Sequence, residues 1–133
     1  MMEILFRGKR ATNGDWVYGD FVHGNERKSL RDSIFVYDSE TQSFNDYEIN
    51  QSTLGQYTGL TDKNGKRIFE GDVAKVLQDK YKGIAYVGFE NGTFMMYPKK
   101  GNIYERTLWS YWYNDWDVEV IGNITDNPEL LEK

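Results

Sequence analysis

The sequence predicts a mainly β protein, and three observations support this prediction. Aromatic residues make up 16% of the 133 residues, and large aromatic side chains fit the half-buried surface of a sheet. The chain has 13 glycines, a residue that supplies the positive φ angles of tight turns. Short alternating segments separated by turn signals are typical of a barrel or a sandwich. At this length we expect a single domain over residues 1–133 with its own core.

Turn signals divide the first part of the chain into short strands. Asn13-Gly14 predicts a tight turn between a strand that begins at Ile4-Leu5-Phe6 and a strand over Asp15–Val22. Residues 23–52 follow as an elaboration on the core. Their polar beginning, residues 23–31, is predicted to be a loop, and SIFVYD and DYEI are predicted to be short strands separated by the turn SETQSFN.

The stretch GQYTGLTDKNGKRIFEGDVAKV, residues 55–76, has the clearest pattern of the chain. Its alternation predicts strands on both sides of a hairpin turn at residues 62–65, and Glu70-Gly71-Asp72 bends the chain into the next strand. The segments IAYVGF and TFMMYP then continue the meander through the turn Glu90-Asn91-Gly92.

The last part of the chain is more varied. Residues 99–106 are predicted to be a loop, and TLWSYWYNDW (107–116) fits a helix or a strand equally well. DVEVIGNI is predicted to be a strand. Asn127 and Pro128 then predict a short helical turn, with asparagine as the cap and proline at the first position.

We expect no catalytic, metal or cofactor site. Glu70 and Asp72 could divide acid and base roles if their environments separated their pKa values. However, Gly71 between them marks a bend, where acids commonly bond backbone N–H groups. His23 is the only histidine and the chain has no cysteine, so the usual zinc ligand sets are missing. We therefore predict that the protein is not an enzyme and that the two acids turn the chain.

Charge and hydropathy restrict the expected partners. The net charge is −5, and the excess of acids lies wholly after residue 113, because basic and acidic residues are equal in number before that point. Equal numbers of acidic and basic residues up to residue 113 argue against a dedicated nucleic-acid binder, although a local basic patch is still compatible with them. No segment approaches the roughly 20 apolar residues of a membrane-spanning helix. We therefore expect no membrane partner. The start, MMEILFRGKR, has neither the long apolar region nor the cleavage site of a signal peptide, so we expect a cytoplasmic protein.

The aromatic segment before the C-terminus is the strongest candidate for a binding surface. Three of the four tryptophans lie within eight residues, with tyrosines between them. Exposed aromatic rings can stack on nucleobases or anchor a protein interface, but they are also common in cores and in contacts between subunits. Contacts with phosphate would need the nearby basic residues. The candidate binding residues are Trp109, Tyr111, Trp112, Tyr113, Trp116, Lys99, Lys100 and Arg106.

Three stretches, taken in order, resemble the YopX family of phage and prophage proteins. They are FRGKRATNGDWVYGDFV (6–22), LGQYTGLTDKNGKRIFEGDVAKV (54–76) and VEVIGNITDNPELLE (118–132). The matching residues are glycines, turn acids and strand hydrophobics, whose types specify backbone geometry. They include Gly55, Tyr57, Gly59, Gly65, Glu70, Gly71, Asp72, Gly122, Asn123 and Pro128. The resemblance supplies no activity and no catalytic residue.

What the resemblance implies is a phage-encoded intracellular protein with a barrel-like β core, and a homo-oligomer. We therefore predict a small SH3-like, partly open barrel with an inserted segment and a short C-terminal helical turn. The first functional hypothesis is a non-enzymatic accessory protein that binds a host or phage protein through the Trp109–Trp116 region or an acidic face near the C-terminus. The second is nucleic-acid binding through the same aromatic residues and the three basic ones. The third is a self-assembling structural protein.

Overall fold

Antiparallel strands dominate the structure. A computed structural model describes residues 3–25 and 31–132, and the mainly β class is confirmed. The strands form two antiparallel sheets, neither of which closes into a barrel within the described ranges. The one α-helix in these ranges has six residues, so none of the described helices is long enough to cross a membrane.

The chain divides into two units, Met1–Tyr57 and Thr58–Lys133. The first contains, in its described residues, four strands and the beginning of a fifth. They are β1 (Phe6–Lys9), β2 (Trp16–Val22), β3 (Ser33–Asp38), β4 (Ser43–Glu48) and β5 (Gly55–Thr61), with a 3₁₀ turn at Gln51–Thr53. Their order in the sheet is β4-β3-β2-β1-β5. Gly14, with φ +75°, lies in the predicted turn between β1 and β2.

The segment predicted as an inserted elaboration forms a hairpin on this sheet. Strand β3 matches the predicted SIFVYD, and β4 pairs with it from Ser33↔Glu48 to Asp38↔Ser43. The predicted turn SETQSFN is therefore too long, because its last three residues lie in β4. Of the loop predicted at residues 23–31, residues 26–30 lie outside the described part of the chain.

The second unit, as far as it is described, contains the end of β5, six further strands and one α-helix. They are β6 (Arg67–Phe69), β7 (Asp72–Gln78), β8 (Tyr81–Glu90), β9 (Thr93–Gly101), β10 (Arg106–Thr107), α1 (Leu108–Tyr113) and β11 (Asp117–Asn123). Strand β6 lies beside β5, and the other five strands form a sheet of order β10-β9-β8-β7-β11. The predicted helical turn is present as a 3₁₀ turn at Pro128–Leu131.

The two faces of the five-stranded sheet differ in character. The inner face carries the core of the unit, because its side chains pack with those of helix α1. Alternation along the strands sends every second residue to the opposite, outer face. The inner-face and helix residues of the core include Ala74, Val76, Ala85, Val87, Met96, Leu108, Tyr111 and Val118.

The bend at Glu70-Gly71-Asp72 is held by backbone hydrogen bonds. The Asp72 carboxylate is buried and accepts a bond from the Phe69 N–H at 2.7 Å, which is the role expected of an acid at a turn. Gly71 has φ +93°, a conformation that favours glycine. Its N–H donates to the Val87 carbonyl and its carbonyl accepts from the Ile124 N–H, each at 2.8 Å. The central motif therefore turns the chain.

The loop predicted at residues 99–106 is partly wrong. Strand β9 continues through Lys99 and Lys100 to Gly101. The register shifts between Ile84 and Ala85 of β8, so β9 accommodates one extra residue there. A β-bulge of this kind is difficult to read from a single sequence, because the extra residue interrupts the alternation of the strand.

Candidate functional site

The ambiguous segment 107–116 forms helix α1 after a short strand. The Thr107 hydroxyl oxygen accepts a hydrogen bond from the Ser110 N–H at 3.1 Å, which caps the first turn. Leu108 and Tyr111, three positions apart, are both buried in the core. This spacing places the other aromatic residues of the helix on its solvent side.

Tyr111 is buried in the core, and the half-buried Trp116 packs against it. Their rings meet edge to face, with centroids 4.8 Å apart, and the Tyr111 hydroxyl donates to the Tyr104 carbonyl. Burial raises the pKa of Tyr111 above its ordinary value. The Arg106 guanidinium lies 6.0 Å from the Tyr111 ring centroid and 5.9 Å from that of Trp116. Tyr111 is therefore not part of the exposed surface, and Arg106 lies beside the rings of Tyr111 and Trp116.

Three aromatic residues of α1 are exposed instead. The exposed fractions are 57% for Trp109, 48% for Trp112 and 63% for Tyr113. Trp109 and Tyr113 are one helical turn apart, and their rings stack at 4.7 Å with an interplanar angle of 16°. This stacking orders two of the three exposed rings before any partner is bound.

An open cleft of about 440 Å³ lies beside these rings, and we call it the aromatic cleft. Its walls come from the end of α1, the start of β11 and the turn between β5 and β6. Acidic residues outnumber basic ones along it, and Lys63 Nζ is 3.9 Å from Glu119 Oε2. The lining residues are Thr61, Asp62, Lys63, Trp112, Tyr113, Asp115, Trp116, Asp117 and Val118.

Asp62 holds one wall of the aromatic cleft in place. Its Oδ1 accepts hydrogen bonds from the N–H groups of Asn64 and Lys66, both at 2.9 Å. Its Oδ2 accepts from the Val120 N–H at 3.0 Å. Burial raises the pKa of Asp62, but these three donors outweigh it, so the pKa lies below the ordinary value. The carboxylate thereby fixes the hairpin turn against β11.

Asp62 is not among the residues predicted from the sequence to form a site. The Asp-x-Asn-Gly pattern indicates a turn whose aspartate bonds the following N–H groups. The bond to Val120, 58 positions away, has no local signal. Only the pairing of β11 beside β7 brings that N–H group to the carboxylate.

The sheet separates Arg106 from the other two predicted basic residues, Lys99 and Lys100. Arg106 pairs with Met96 and lies on the inner face. Lys100 pairs with Ile84, and Lys99 Nζ lies 5.7 Å from the centroid of the Tyr86 ring, which places both lysines on the outer face. The candidate residues predicted together therefore do not form one site. Trp112, Tyr113 and Trp116 share the aromatic cleft, and Trp109 stacks beside it.

The only histidine of the sequence, His23, lies in the first unit. The His23 side chain is 76% exposed, and its Nδ1 is 3.1 Å from Asp32 Oδ1. Within residues 3–25 and 31–132, no three or more His, Cys, Asp or Glu side chains are grouped as a metal site would require.

Comparisons with known proteins give a family and a fold. A family model described as YopX protein matches residues 5–132. The chain is similar to the crystal structure of protein EF1440 from Enterococcus faecalis, with a TM-score of 0.58 and 24% identity over 99% of this chain and 100% of that one. A comparison with curated proteins found no match. The structural similarity supports the fold, and at this identity it carries no function.

Proposed function

The chain belongs to the YopX family, and from this membership and the aromatic cleft we propose that it is a non-enzymatic phage or prophage accessory protein that binds another protein. The observation that carries the proposal is the exposure of Trp109, Trp112 and Tyr113 on one short helix. Large aromatic residues dominate the energetics of protein interfaces. Their exposure beside a cleft favours a binding role over a core role.

The charges of the aromatic cleft indicate the chemistry of the partner. Asp115 and Asp117 lie along it, while Lys63 already faces Glu119. A partner segment with an apolar anchor for the cleft and neighbouring lysine or arginine side chains would match both features. Such a segment would come from a host or a phage protein in the bacterial cytoplasm.

Nucleic-acid binding at the aromatic cleft has less support. Its three aspartates, Asp62, Asp115 and Asp117, would repel phosphate. Arg106 lies over the rings of Tyr111 and Trp116. Self-assembly through the exposed rings uses the same residues as the proposed interface. A measurement of oligomer mass separates self-assembly from binding to a different protein.

The proposal is tested by affinity capture from bacterial lysate, with and without nuclease, followed by mass spectrometry. We expect a partner that survives nuclease, is retained by wild type and is reduced about tenfold or more by Trp112→Ala, as for a central interface residue. Tyr104→Ala is the matched control, because Tyr104 is 66% exposed but does not line the cleft.

Two outcomes would contradict the proposal. Capture that is equal for wild type, Trp112→Ala and Trp109→Ala would show that the exposed rings do not bind the partner. A lower oligomer mass for Trp112→Ala in light scattering, with no captured protein, would replace the proposal with self-assembly.

A further inference from the structure

Four lysines share the outer face of the five-stranded sheet in the second unit. Lys75, Ile84 and Lys100 are paired neighbours on β7, β8 and β9, and they form one row across three strands. Lys82 pairs with Leu77 on the same face. All four lysines are exposed, and we call this surface the basic face. It consists of Lys75, Lys82, Lys99 and Lys100, together with Ile84, Tyr86 and Tyr97.

Two tyrosine rings lie among these lysines. Tyr86 and Tyr97 are cross-strand partners with ring centroids 5.2 Å apart, and Lys99 Nζ lies over the Tyr86 ring. The Tyr97 ring also lies over Gly88, where a Cβ atom would collide with it. The Tyr97 hydroxyl donates to the Glu90 carboxylate, which further fixes its orientation. The rings are thus held as half-exposed surfaces beside positive charges.

The acids near the basic face are at its margins or already have contacts. Glu119 pairs with Lys75 across β11 and β7, and its carboxylate is also approached by Lys63 Nζ at 3.9 Å and Asn64 Nδ2 at 3.4 Å. Glu90 accepts the bond from Tyr97. Asp117 lies at the other end of β11, opposite Leu77. The centre of the face, between Lys75 and Lys100, is apolar and positively charged.

We propose that the basic face binds single-stranded nucleic acid, with lysines contacting phosphates and a base stacking against the tyrosine pair. Positive grooves with stacking aromatic residues are the usual means of binding single strands. An acidic peptide would use the lysines but would gain little from the exposed ring surfaces. None of the residues of the basic face lines the aromatic cleft, because helix α1 packs on the inner face and these lysines lie on the outer one.

The test is fluorescence anisotropy with a labelled 20-nucleotide oligothymidine. If four lysines each neutralise one phosphate, the slope of log affinity against log salt is about −2.8, so affinity falls about 50-fold between 50 and 200 mM salt. Lys75→Gln with Lys100→Gln should reduce that slope by about half. Tyr86→Leu should weaken binding about tenfold with the slope unchanged, because stacking releases no counterion.

Lys66→Gln is the control, because Lys66 is an exposed lysine of the same unit in the turn between β5 and β6. It should leave both affinity and slope within about twofold of wild type. Three results would overturn the proposal: no binding at 50 mM salt, an equal loss in the Lys66 variant, or binding of poly-glutamate without binding of the oligonucleotide. The last result would assign the face to an acidic protein. Unchanged urea midpoints for all variants exclude unfolding as the cause.

Discussion

Asp62→Asn should destabilise the second unit, because one side chain bonds three backbone N–H groups from two separate segments. The substitution preserves the shape of the side chain but replaces one acceptor oxygen with an NH₂ group. If that group faces Val120, one hydrogen bond is lost. If it faces the turn, the bonds to both Asn64 and Lys66 are lost. The variant should adopt the first orientation, which costs less.

The magnitude follows from the lost bond. A hydrogen bond to a charged group contributes about 1.5–3 kcal/mol, and leaving a buried N–H group unpaired costs a similar amount. Asp62 is only 7% exposed, so solvent does not replace the missing acceptor. We therefore expect a decrease of about 2 kcal/mol in the free energy of unfolding at pH 7.

The effect should depend on pH with a defined sign. The folded-state pKa of Asp62 lies below the ordinary value of 3.8, so the stabilisation from its ionised form is complete above that value. It is lost as the pH falls through the lower, folded-state pKa. The difference between wild type and Asp62→Asn should stay constant from pH 7 to about pH 5 and become smaller below pH 3.8.

Urea unfolding followed by tryptophan fluorescence measures both quantities. Asp38→Asn is the matched control, because the Asp38 carboxylate accepts a single, solvent-exposed bond from the Glu40 N–H; it should change stability by less than about 0.5 kcal/mol. Equal stability of Asp62→Asn and the control at pH 7 would show that the Asp62 carboxylate does not stabilise the unit. A difference from wild type that stays unchanged between pH 5 and pH 3 would show that its ionised form is not responsible.

Two further predictions concern the helix cap and the outer face. Thr107→Ala removes the hydroxyl that caps the Ser110 N–H, and it should lower the free energy of unfolding by about 1 kcal/mol in urea unfolding. Thr107→Ser keeps a hydroxyl and should remain close to wild type. An equal decrease in both variants would exclude the cap as the cause. The hydrogen bond to Glu90 raises the pKa of Tyr97 to about 12, so Glu90→Gln should move the titration of Tyr97 towards 10.0 in NMR of ¹³C-labelled tyrosine. An unchanged Tyr97 titration would show that this hydrogen bond does not control the pKa.

Much of the local structure could be predicted from the sequence, because turns and alternation depend on near neighbours. The bend at Gly71 needs a residue that tolerates positive φ, and Asp72 bonds an N–H group only three residues away. Pro128 begins the final 3₁₀ turn because its φ is already fixed near helical values. The mainly β class follows from the sum of such local preferences.

The composition of the candidate sites was decided only by the tertiary structure. The sequence pattern of residues 107–116 fits a helix or a strand equally well. In the structure, the burial of Leu108 and Tyr111 against the inner face leaves Trp109 and Trp112 exposed. One bulge in β9 and the pairing of β10 place Arg106 on the opposite face from the lysines of β9.

The sequence alone therefore determined where this chain turns and which segments alternate, since those depend on the φ angles and side-chain spacing of adjacent residues. It did not determine which side chains meet. Asp62 reaches Val120 across 58 positions, and Lys75 and Lys100 come into one row only through the pairing of β7, β8 and β9. Such contacts depend on strand register and on the packing of the inner face, which are properties of the whole unit.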